Sequence, residues 1–439
     1  MIDYVKSNVS FIAILIVWLL VGIYSAPLSY GLIPLTVIIF KRRDYYAEIL
    51  IGFFFILMIS DSRVKSLAFS VDVKNIYILL LAAFVLFDRK NFTPFQNFHQ
   101  KYIPFFLVAL FCIIYSPYAG TSFSKVLSYF LIILVVPNFV HKAYSVKGVQ
   151  FFRELIFFGS AMLLIGLVLK YISHDVVYLA DRFRGTLGNP NGLGIFLLMF
   201  FLLFSVISEY FKNLFTANEK RIIYFLIFYS LILSASRSAL TAIVIFVIFR
   251  YLYKASPFIG FIIFIIFLFG YQLITSNIVP IVIALGLEDY FRVDTLKEGS
   301  GRIIAWTFAW EQIQYNFFLG RGFGYTEWIF GQYYEILSRK GHQGHAHNTF
   351  LTFWLDTGLI GLVLYLQAFL LQFIQAAKQS RSAIPAMYAV LFSVFFESWL
   401  TASLNPYTIQ LVIILTVFTT FKPMEVALQE ELVKVKRNE

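Results

Sequence analysis

The chain alternates between long apolar blocks and shorter polar segments. A helix that crosses a hydrocarbon layer of ~30 Å needs ~20 apolar residues, so this pattern predicts about fourteen spans, or twelve if two short early blocks are re-entrant or tilted. The strict apolar/polar alternation of membrane β-strands is absent. We therefore expect an all-α, polytopic helical membrane protein with a single membrane domain over residues 1–439. The blocks are centred near Ile16, Leu35, Phe54, Leu80, Val108, Leu131, Leu163, Leu198, Phe225, Ile245, Phe264, Leu362, Phe392 and Ile414.

Composition supports the same class. Hydrophobic residues make up 60% of the chain and charged residues 13%, which leaves too few polar side chains to cover a soluble domain of this size. A net charge of +11 would suit nucleic acid in a soluble protein, but basic cytoplasmic loops explain it here, so no nucleic-acid partner is expected. The first apolar block lacks a small-residue cleavage site and is interpreted as a retained span. The single cysteine, Cys112, cannot form an internal disulfide.

The distribution of lysine and arginine predicts the orientation. With the N-terminus inside, most basic residues fall in inner loops, and both termini, including a tail over 422–439, are cytoplasmic. Residues 1–174 then form N-terminal spans, and residues 175–421 form the second half of the chain, which carries most of the polar outer segments. These segments are 171–192, the turn 234–239 and one long outer loop over 276–346. Polar chemistry therefore gathers on the side away from the cytoplasm.

The segment RFRGTLGNPNGLG (182–194) combines arginines with turn residues. Its glycines allow the backbone to turn tightly and to approach a ligand closely. The next span starts near Asn191, so its free N–H groups would face outward and favour an anion. Arg182 and Arg184 could each form two hydrogen bonds to phosphate oxygens. The alternative is an ordinary outer loop.

Two further arginines lie at helix ends. Arg237, in SASRSAL, sits between two apolar blocks, where a cation is costly unless it faces a partner or a polar cavity; the alternative is that it reaches to outer lipid phosphates. Arg302 follows Ser300, a predicted N-cap, in a segment (298–324) rich in tryptophan and phenylalanine that we expect to lie along the membrane interface. A cation near a helix N-terminus is mildly unfavourable, and an anionic ligand would explain Arg302. The alternative is a surface arginine.

The stretch GHQGHAHN contains three histidines. His342, His345 and His347 could bind zinc with Asp356, but Asp356 lies on the far side of the following helix, so no metal is expected. His347 is the preferred general base because an imidazole titrates near neutral pH, and Asn348 could orient it or a sugar. His342 and His345 are expected to be exposed.

One carboxylate and one amide lie near the outer end of the penultimate span. Glu397 and Asn405 belong to the segment FESWLTASLNP. A carboxylate inside a membrane protein is usually paired and functional. Glu397 is therefore predicted either to contribute to a substrate site or to form a structural ion pair with one of the arginines.

Together these residues suggest a chemistry. Arginines suit a pyrophosphate, a histidine suits activation of a sugar hydroxyl, and apolar walls suit a polyisoprenoid. Nucleotide donors are not expected outside the cytoplasm, so an activated donor there must be membrane-borne. The hypothesis is a glycosyltransferase that uses a lipid-pyrophosphate-linked saccharide.

The chain resembles the O-antigen polymerase/O-antigen ligase superfamily. The resemblance covers roughly residues 175–420 and is carried by RFRGTLGNPNGLG, the Ser236–Arg237 turn, GSGRIIAWTFAWEQIQYNFFLGRGFG and HAHNTFLTFWLDTGLIGL. It implies a glycosyltransferase C-type fold, an undecaprenyl-pyrophosphate-linked glycan donor, a saccharide acceptor and no cofactor. It also implies an active site facing the periplasm from the bacterial inner membrane. By resemblance, Arg184, Arg237 and Arg302 hold the pyrophosphate and His347 activates the acceptor for inverting transfer. Arg182, Asn191, Asn348 and Glu397 are expected to contact the substrate in secondary roles.

The acceptor distinguishes two members of that superfamily. A polymerase attacks with a second lipid-linked repeat, whereas a ligase attacks with a lipid A-core sugar. The likeness of HNTFLTFWLDTGLIG to surface-polysaccharide polymerases favours the polymerase, and it leaves open whether a chain-length regulator binds. A transporter of an anionic lipid-linked sugar is the alternative of another class, although the paired helix breaks typical of transporters are not found.

Overall fold

The computed structural model describes residues 6–93, 97–252, 257–286, 301–342, 344–401 and 404–423. The N-terminal part consists of helices joined by short turns. They are α1 (Val9–Tyr24), α2 (Ala26–Arg42), α3 (Tyr46–Ser60), α4 (Phe69–Phe87), α5 (Asn97–Gln100), α6 (Ile103–Cys112), α7 (Ala119–Lys147), α8 (Gln150–Ile172) and α9 (His174–Val177). Short 3-10 helices lie at Lys65–Leu67 and Ile113–Tyr115.

A two-stranded hairpin leads into the second part. Strand β1 (Tyr178–Leu179) pairs antiparallel with β2 (Arg182–Phe183), and a 3-10 turn lies later at Trp399–Thr401. The helices are α10 (Pro190–Tyr210), α11 (Ala217–Ser234), α12 (Arg237–Leu252), α13 (Pro257–Ala284), α14 (Arg302–Tyr315), α15 (Tyr325–Gln332), α16 (Tyr334–Arg339), α17 (Thr349–Ala376), α18 (Ala383–Phe396) and α19 (Pro406–Thr420).

The helical membrane architecture is confirmed. Every predicted apolar centre lies within a helix. Within the described residues, five helical segments are long and apolar enough to cross a membrane by length and composition: Lys65–Phe87, α7, α8, α10 and α17. Shorter apolar helices accompany them, including α1, α3, α18 and α19.

Helix α10 forms the centre of the bundle. Of its apolar window, 89% is buried inside the protein. It packs against α11, α12 and α19, while α12 packs along α18, and α17 contacts α6, α18 and α14. Because other helices surround α10, its N-terminal end lies near the middle of one end of the bundle.

The helical conformation of α17 is interrupted at Gly358, and the segment between α14 and α15 forms hydrogen bonds with the backbone there. Gly358 has φ 74° and ψ 177°, which interrupts the helix. The carbonyls of Leu355 and Asp356 accept from Arg321 N (3.2 Å) and Gly322 N (2.8 Å), and Leu359 N donates to Phe317 O (2.9 Å). This strand-like pairing supplies hydrogen-bond partners to backbone groups for which the hydrocarbon interior of a membrane offers none. It also fixes the stretch after α14 against α17.

Two details differ from the sequence-based boundaries. Helix α13 continues to Ala284, into the segment assigned to the outer loop from 276. Ser300, the predicted N-cap of the interfacial helix, lies outside the described residues, and the N-cap of α14 is Gly301 with φ 69°. A glycine fits there because this left-handed conformation strains other residues, and the Gly341 carbonyl would lie 2.9 Å from an added Cβ.

Candidate functional site

Glu397 is the centre of a buried polar cluster. It follows the last residue of α18 and is 6% exposed. Its Oε1 accepts from Arg302 Nη2 at 3.2 Å and from Asn191 Nδ2 at 3.5 Å. Its Oε2 lies 3.4 Å from His347 Nδ1. One carboxylate therefore joins the predicted base, one predicted phosphate ligand and the start of α10.

Several helices begin at this cluster. Asn189 caps α10 by accepting from Gly192 N at 2.7 Å, and Asn405 caps α19 by accepting from Thr408 N at 2.7 Å. Asn348 caps α17 through Leu351 N at 3.1 Å, and Arg302 is the first residue of α14. The positive ends of these helix dipoles converge, which favours an anion.

The backbone around His347 is held from both sides. Trp306 Nε1 donates to Ala346 O at 3.0 Å, and Asn348 N donates to Ser398 Oγ at 3.0 Å. His347 itself has φ 46°, an uncommon conformation for a residue other than glycine. Thr349 Oγ1 donates to the backbone carbonyl of Glu397 at 2.8 Å, so the histidine segment and Glu397 are fixed relative to each other.

The second ring nitrogen of His347 faces a small residue. A Cβ added to Gly344 would lie 3.3 Å from Nε2, so glycine leaves room at this atom. With Nδ1 directed at Glu397, Nε2 is the nitrogen that can meet a substrate. This division of the two nitrogens is the usual way in which a carboxylate orients a catalytic imidazole.

Arg182 connects β2 to the cluster. Its Nη2 donates to Asn191 Oδ1 at 2.9 Å, and its Nε donates to Ser234 O at 3.0 Å. Nη2 also reaches Ala235 O at 3.3 Å. Arg237 begins α12 two residues beyond Ala235, so the SASR turn and the RFRG segment meet through Arg182.

Arg184 lies in a different environment. It is 8% exposed and donates to the backbone carbonyls of Val176 (3.2 Å) and Gly188 (3.3 Å). Gly188 N in turn donates to Asp61 Oδ2 at 3.1 Å. Burial, together with the charge of Arg63, lowers the pKa of Arg184. These bonds secure the 185–192 loop to the N-terminal helices, whereas Arg182 joins the Glu397 cluster.

Charge compensation keeps Glu397 ionised. Burial alone would raise its pKa, but the hydrogen bond from His347 and the charges of Arg302, His347 and Arg182 outweigh burial and lower it. The cluster therefore holds a carboxylate surrounded by cationic groups. The positive surroundings suit an anion with more charge than one carboxylate.

The three histidines have different environments. His345 is exposed as expected, but the prediction of an exposed His342 is wrong, because it is 2% exposed. The His342 ring packs edge-to-face on His347, with centroids 6.0 Å apart, and on Phe330. Burial lowers the pKa of His342, and the nearby His347 adds to the effect.

Asp356, the fourth ligand of the zinc alternative, has another function. It accepts from Thr326 N (2.9 Å), Thr326 Oγ1 (2.8 Å) and Gly324 N (3.1 Å), and so fixes the start of α15. Across the described ranges, no group of three or more His, Cys, Asp and Glu side chains is arranged to hold a metal ion.

Asn348 also differs from its expected role. Its side chain is 3% exposed and caps α17, so it stabilises the helix after His347. Sequence reasoning missed Ser398 and Trp306, which position the histidine segment. Glu397 and Arg182, which were expected in secondary roles, make the contacts that join these elements.

The fold and the cluster define a polytopic helical membrane protein with a cation-rich site at one end of its bundle. Residues 222–366 match the family model described as O-antigen ligase, which confirms the predicted resemblance to the O-antigen polymerase/ligase superfamily. That family transfers glycosyl groups in lipopolysaccharide and polysaccharide biosynthesis. The matched segment contains Arg237, Arg302 and His347, while Arg182, Asn191 and Glu397 lie outside it. No curated protein matches the chain.

Proposed function

We propose that this protein polymerises undecaprenyl-pyrophosphate-linked oligosaccharide repeats into an O-antigen or capsule-like polysaccharide at the outer face of the bacterial inner membrane. The observation that supports the proposal is the convergence of His347, Arg302, Arg182 and several helix N-termini on Glu397. A base and an anion-binding group in one site are what glycosyl transfer from a lipid diphosphate needs.

The chemistry assigns a role to each group. Arg302, Arg182 and Arg237, with the N-termini of α10 and α14, hold the donor diphosphate. His347 Nε2 takes the proton from the acceptor hydroxyl as its oxygen bonds to the anomeric carbon. The bond from that carbon to the diphosphate oxygen breaks, and undecaprenyl pyrophosphate leaves with the electron pair. Attack opposite the leaving group inverts the anomeric centre.

The developing negative charge falls on the diphosphate. Arginine side chains and helix N-termini supply the compensating positive charge, which is why we propose a metal-independent reaction. We assign Arg184 a supporting role, because its bonds to Val176 O and Gly188 O hold the loop that carries Asn191.

The ligase is a second candidate, favoured by the description of the matching family model. The site chemistry is the same, but the acceptor is a lipid A-core sugar. Glycan electrophoresis after deletion of the gene separates the candidates. A core with a single repeat indicates a polymerase, and a bare core with polymer left on the lipid carrier indicates a ligase. An unchanged glycan overturns both, and altered solute uptake with normal polymer would favour a transporter.

Complementation of that deletion tests the base. We expect His347→Ala to restore no polymer, since a general base contributes about 10²–10⁴-fold to rate. His345→Ala, at an exposed position in the same loop, should complement fully. Expression of both variants is checked by immunoblot. Full polymer from His347→Ala would refute the assignment.

A further inference from the structure

The two oxygens of Glu397 serve different partners. Oε1 faces Arg302, which is proposed to hold the donor diphosphate, and Asn191 at the start of α10. Oε2 faces His347 Nδ1, on the side of the acceptor. A single buried carboxylate thus lies between the two halves of the proposed reaction.

A bound diphosphate would compete with Glu397 for Arg302. Its Nη2 bond to Glu397 is 3.2 Å long, and its side chain is about a quarter exposed, at 24%. A diphosphate carries more negative charge than a carboxylate and offers more acceptor oxygens, so it competes for the guanidinium. Other groups face Glu397 from each neighbouring element: Arg182 from β2, Asn191 from α10, Tyr407 from α19, and His347 with His342 behind it.

We infer that Glu397 is a positioning residue which neutralises Arg302 when no donor is bound and pairs with His347 alone once a diphosphate takes Arg302. The inference rests on the proposed function. Donation of Nδ1–H to Glu397 selects the tautomer whose Nε2 lone pair accepts the hydroxyl proton. Donor binding and activation of the base are thereby coupled through one carboxylate.

The coupling predicts opposite effects on binding and on turnover. Glu397→Gln keeps the size of the side chain but removes its charge. Arg302 then faces a neutral amide in place of a carboxylate, so we expect the purified full-length protein in nanodiscs to bind inorganic pyrophosphate and undecaprenyl pyrophosphate about tenfold more tightly by calorimetry. Turnover should fall, by up to about 10⁴-fold, the loss that follows when the carboxylate orienting the histidine of a Ser-His-Asp triad is replaced by an amide. A carboxylate with only a structural role would weaken both binding and turnover.

Glu154→Gln is the matched control. Glu154 is 7% exposed and pairs with Lys147 at 2.7 Å near the start of α8, at the opposite end of the bundle. This variant should change neither pyrophosphate affinity nor the ratio of affinity to turnover. Unchanged or weaker pyrophosphate binding by a folded Glu397→Gln overturns the inference.

A measurement on the unmodified protein keeps the test independent of variant folding. Nitrogen NMR of the histidine side chains should show that pyrophosphate shifts the Nδ1 resonance of His347, which is assigned by its loss in His347→Gln. An Nδ1 resonance that pyrophosphate leaves unchanged contradicts the coupling. If the unmodified protein binds no diphosphate and transfers no glycan, the proposed function fails. If it binds and transfers without the coupling, only this inference fails.

Discussion

Arg302 combines several contacts that lysine cannot reproduce. Its guanidinium donates to Glu397 at 3.2 Å and its Cζ lies 5.5 Å from the centre of the Phe396 ring. A planar guanidinium can stack on an aromatic ring and form two parallel hydrogen bonds at the same time, whereas an ammonium group acts as a point charge. We therefore expect Arg302→Lys to lower kcat/KM for the donor about 10–100-fold, equivalent to roughly 1.4–2.8 kcal/mol.

Arg321→Lys is the control for that substitution. Arg321 is exposed in the same outer segment and donates to Asn316 Oδ1 at 2.9 Å, away from Glu397. Transfer assays with labelled lipid-linked donor should show near-normal rates for this variant. A normal rate for Arg302→Lys would mean that donor use does not depend on the stacking and the paired hydrogen bonds of the guanidinium.

The sequence predicted which residue types form the site but not which of them contact one another. Arg302 and His347 were predicted for substrate binding and catalysis, and the structure brings both to Glu397. The contacts of Glu397 join positions 95, 50 and 206 residues apart, and no local pattern encodes such distances. The local sequence RFRG does not predict different partners for Arg182 and Arg184. In the folded protein, Arg182 donates to Asn191, whereas Arg184 donates to Val176 and Gly188.

At the scale of elements, the broken start of α17 depends on Gly358. Its φ of 74° strains other residues, and an added Cβ would lie 2.2 Å from Phe318 O, in the segment that hydrogen-bonds to α17 around the break. We expect Gly358→Ala to lower the free energy of unfolding by about 3 kcal/mol, because both backbone strain and the clash with a fixed carbonyl must be relieved. Thermal unfolding in detergent measures the loss.

Gly331 provides the matched glycine in a helix. It lies in α15, and an added Cβ would meet nothing within 4 Å. Gly331→Ala should be neutral or stabilising by up to about 1 kcal/mol, since alanine is the better helix former. Equal unfolding temperatures for the two variants would show that the break in α17 is not a strained feature.

The loop before α17 should be sensitive to pH through His342. Burial lowers the pKa of this imidazole below its ordinary 6.5, so the folded loop binds a proton less readily than the unfolded chain. Above pH 6.5 both states are neutral and His342 costs nothing; as pH falls below that value, stability is lost until the folded pKa is passed.

Replacement by phenylalanine tests this. In the part of the chain that the structure describes, Nε2 of His342 has no hydrogen-bond partner, so His342→Phe removes the titration and breaks no hydrogen bond at that atom. The unfolding temperature of the variant should fall less between pH 7 and 5 than that of the unmodified protein. His174→Phe, at a side chain that is 62% exposed, should leave the dependence unchanged. An equal slope in all three proteins would contradict the assignment.

Elements were more predictable than their ends. Apolar blocks indicate helices directly because hydrocarbon length and helix rise set a minimum run, so each predicted centre falls in a helix. The end of α13 and the N-cap of α14 both differ from their predictions. Ala284 continues a helix past the predicted loop start, and Gly301 caps α14 by backbone conformation, which leaves little trace in composition.

At the scale of the whole molecule, polar contacts separate into two ends of the bundle. One end holds the Glu397 cluster. The other holds ion pairs at the opposite helix ends, where Lys147 bridges Glu48 (2.8 Å) and Glu154 (2.7 Å), and Arg153 pairs with Glu219 (2.6 Å). The loops predicted to be cytoplasmic contribute these ion pairs. The distribution of lysine and arginine therefore places the predicted cytoplasmic side opposite the Glu397 cluster.

Which face is cytoplasmic is a prediction that labelling can decide. Cys112 is buried and is first replaced by serine, which gives a background without cysteine. Single cysteines are then placed at exposed positions of each face, His345→Cys beside the site and Ala217→Cys at the start of α11. A membrane-impermeant maleimide cannot cross the hydrocarbon layer. It should therefore label His345→Cys in spheroplasts and label Ala217→Cys only after lysis. Labelling of Ala217→Cys alone in spheroplasts would invert the topology and place the site where nucleotide donors are available, and labelling of both would contradict two opposite faces.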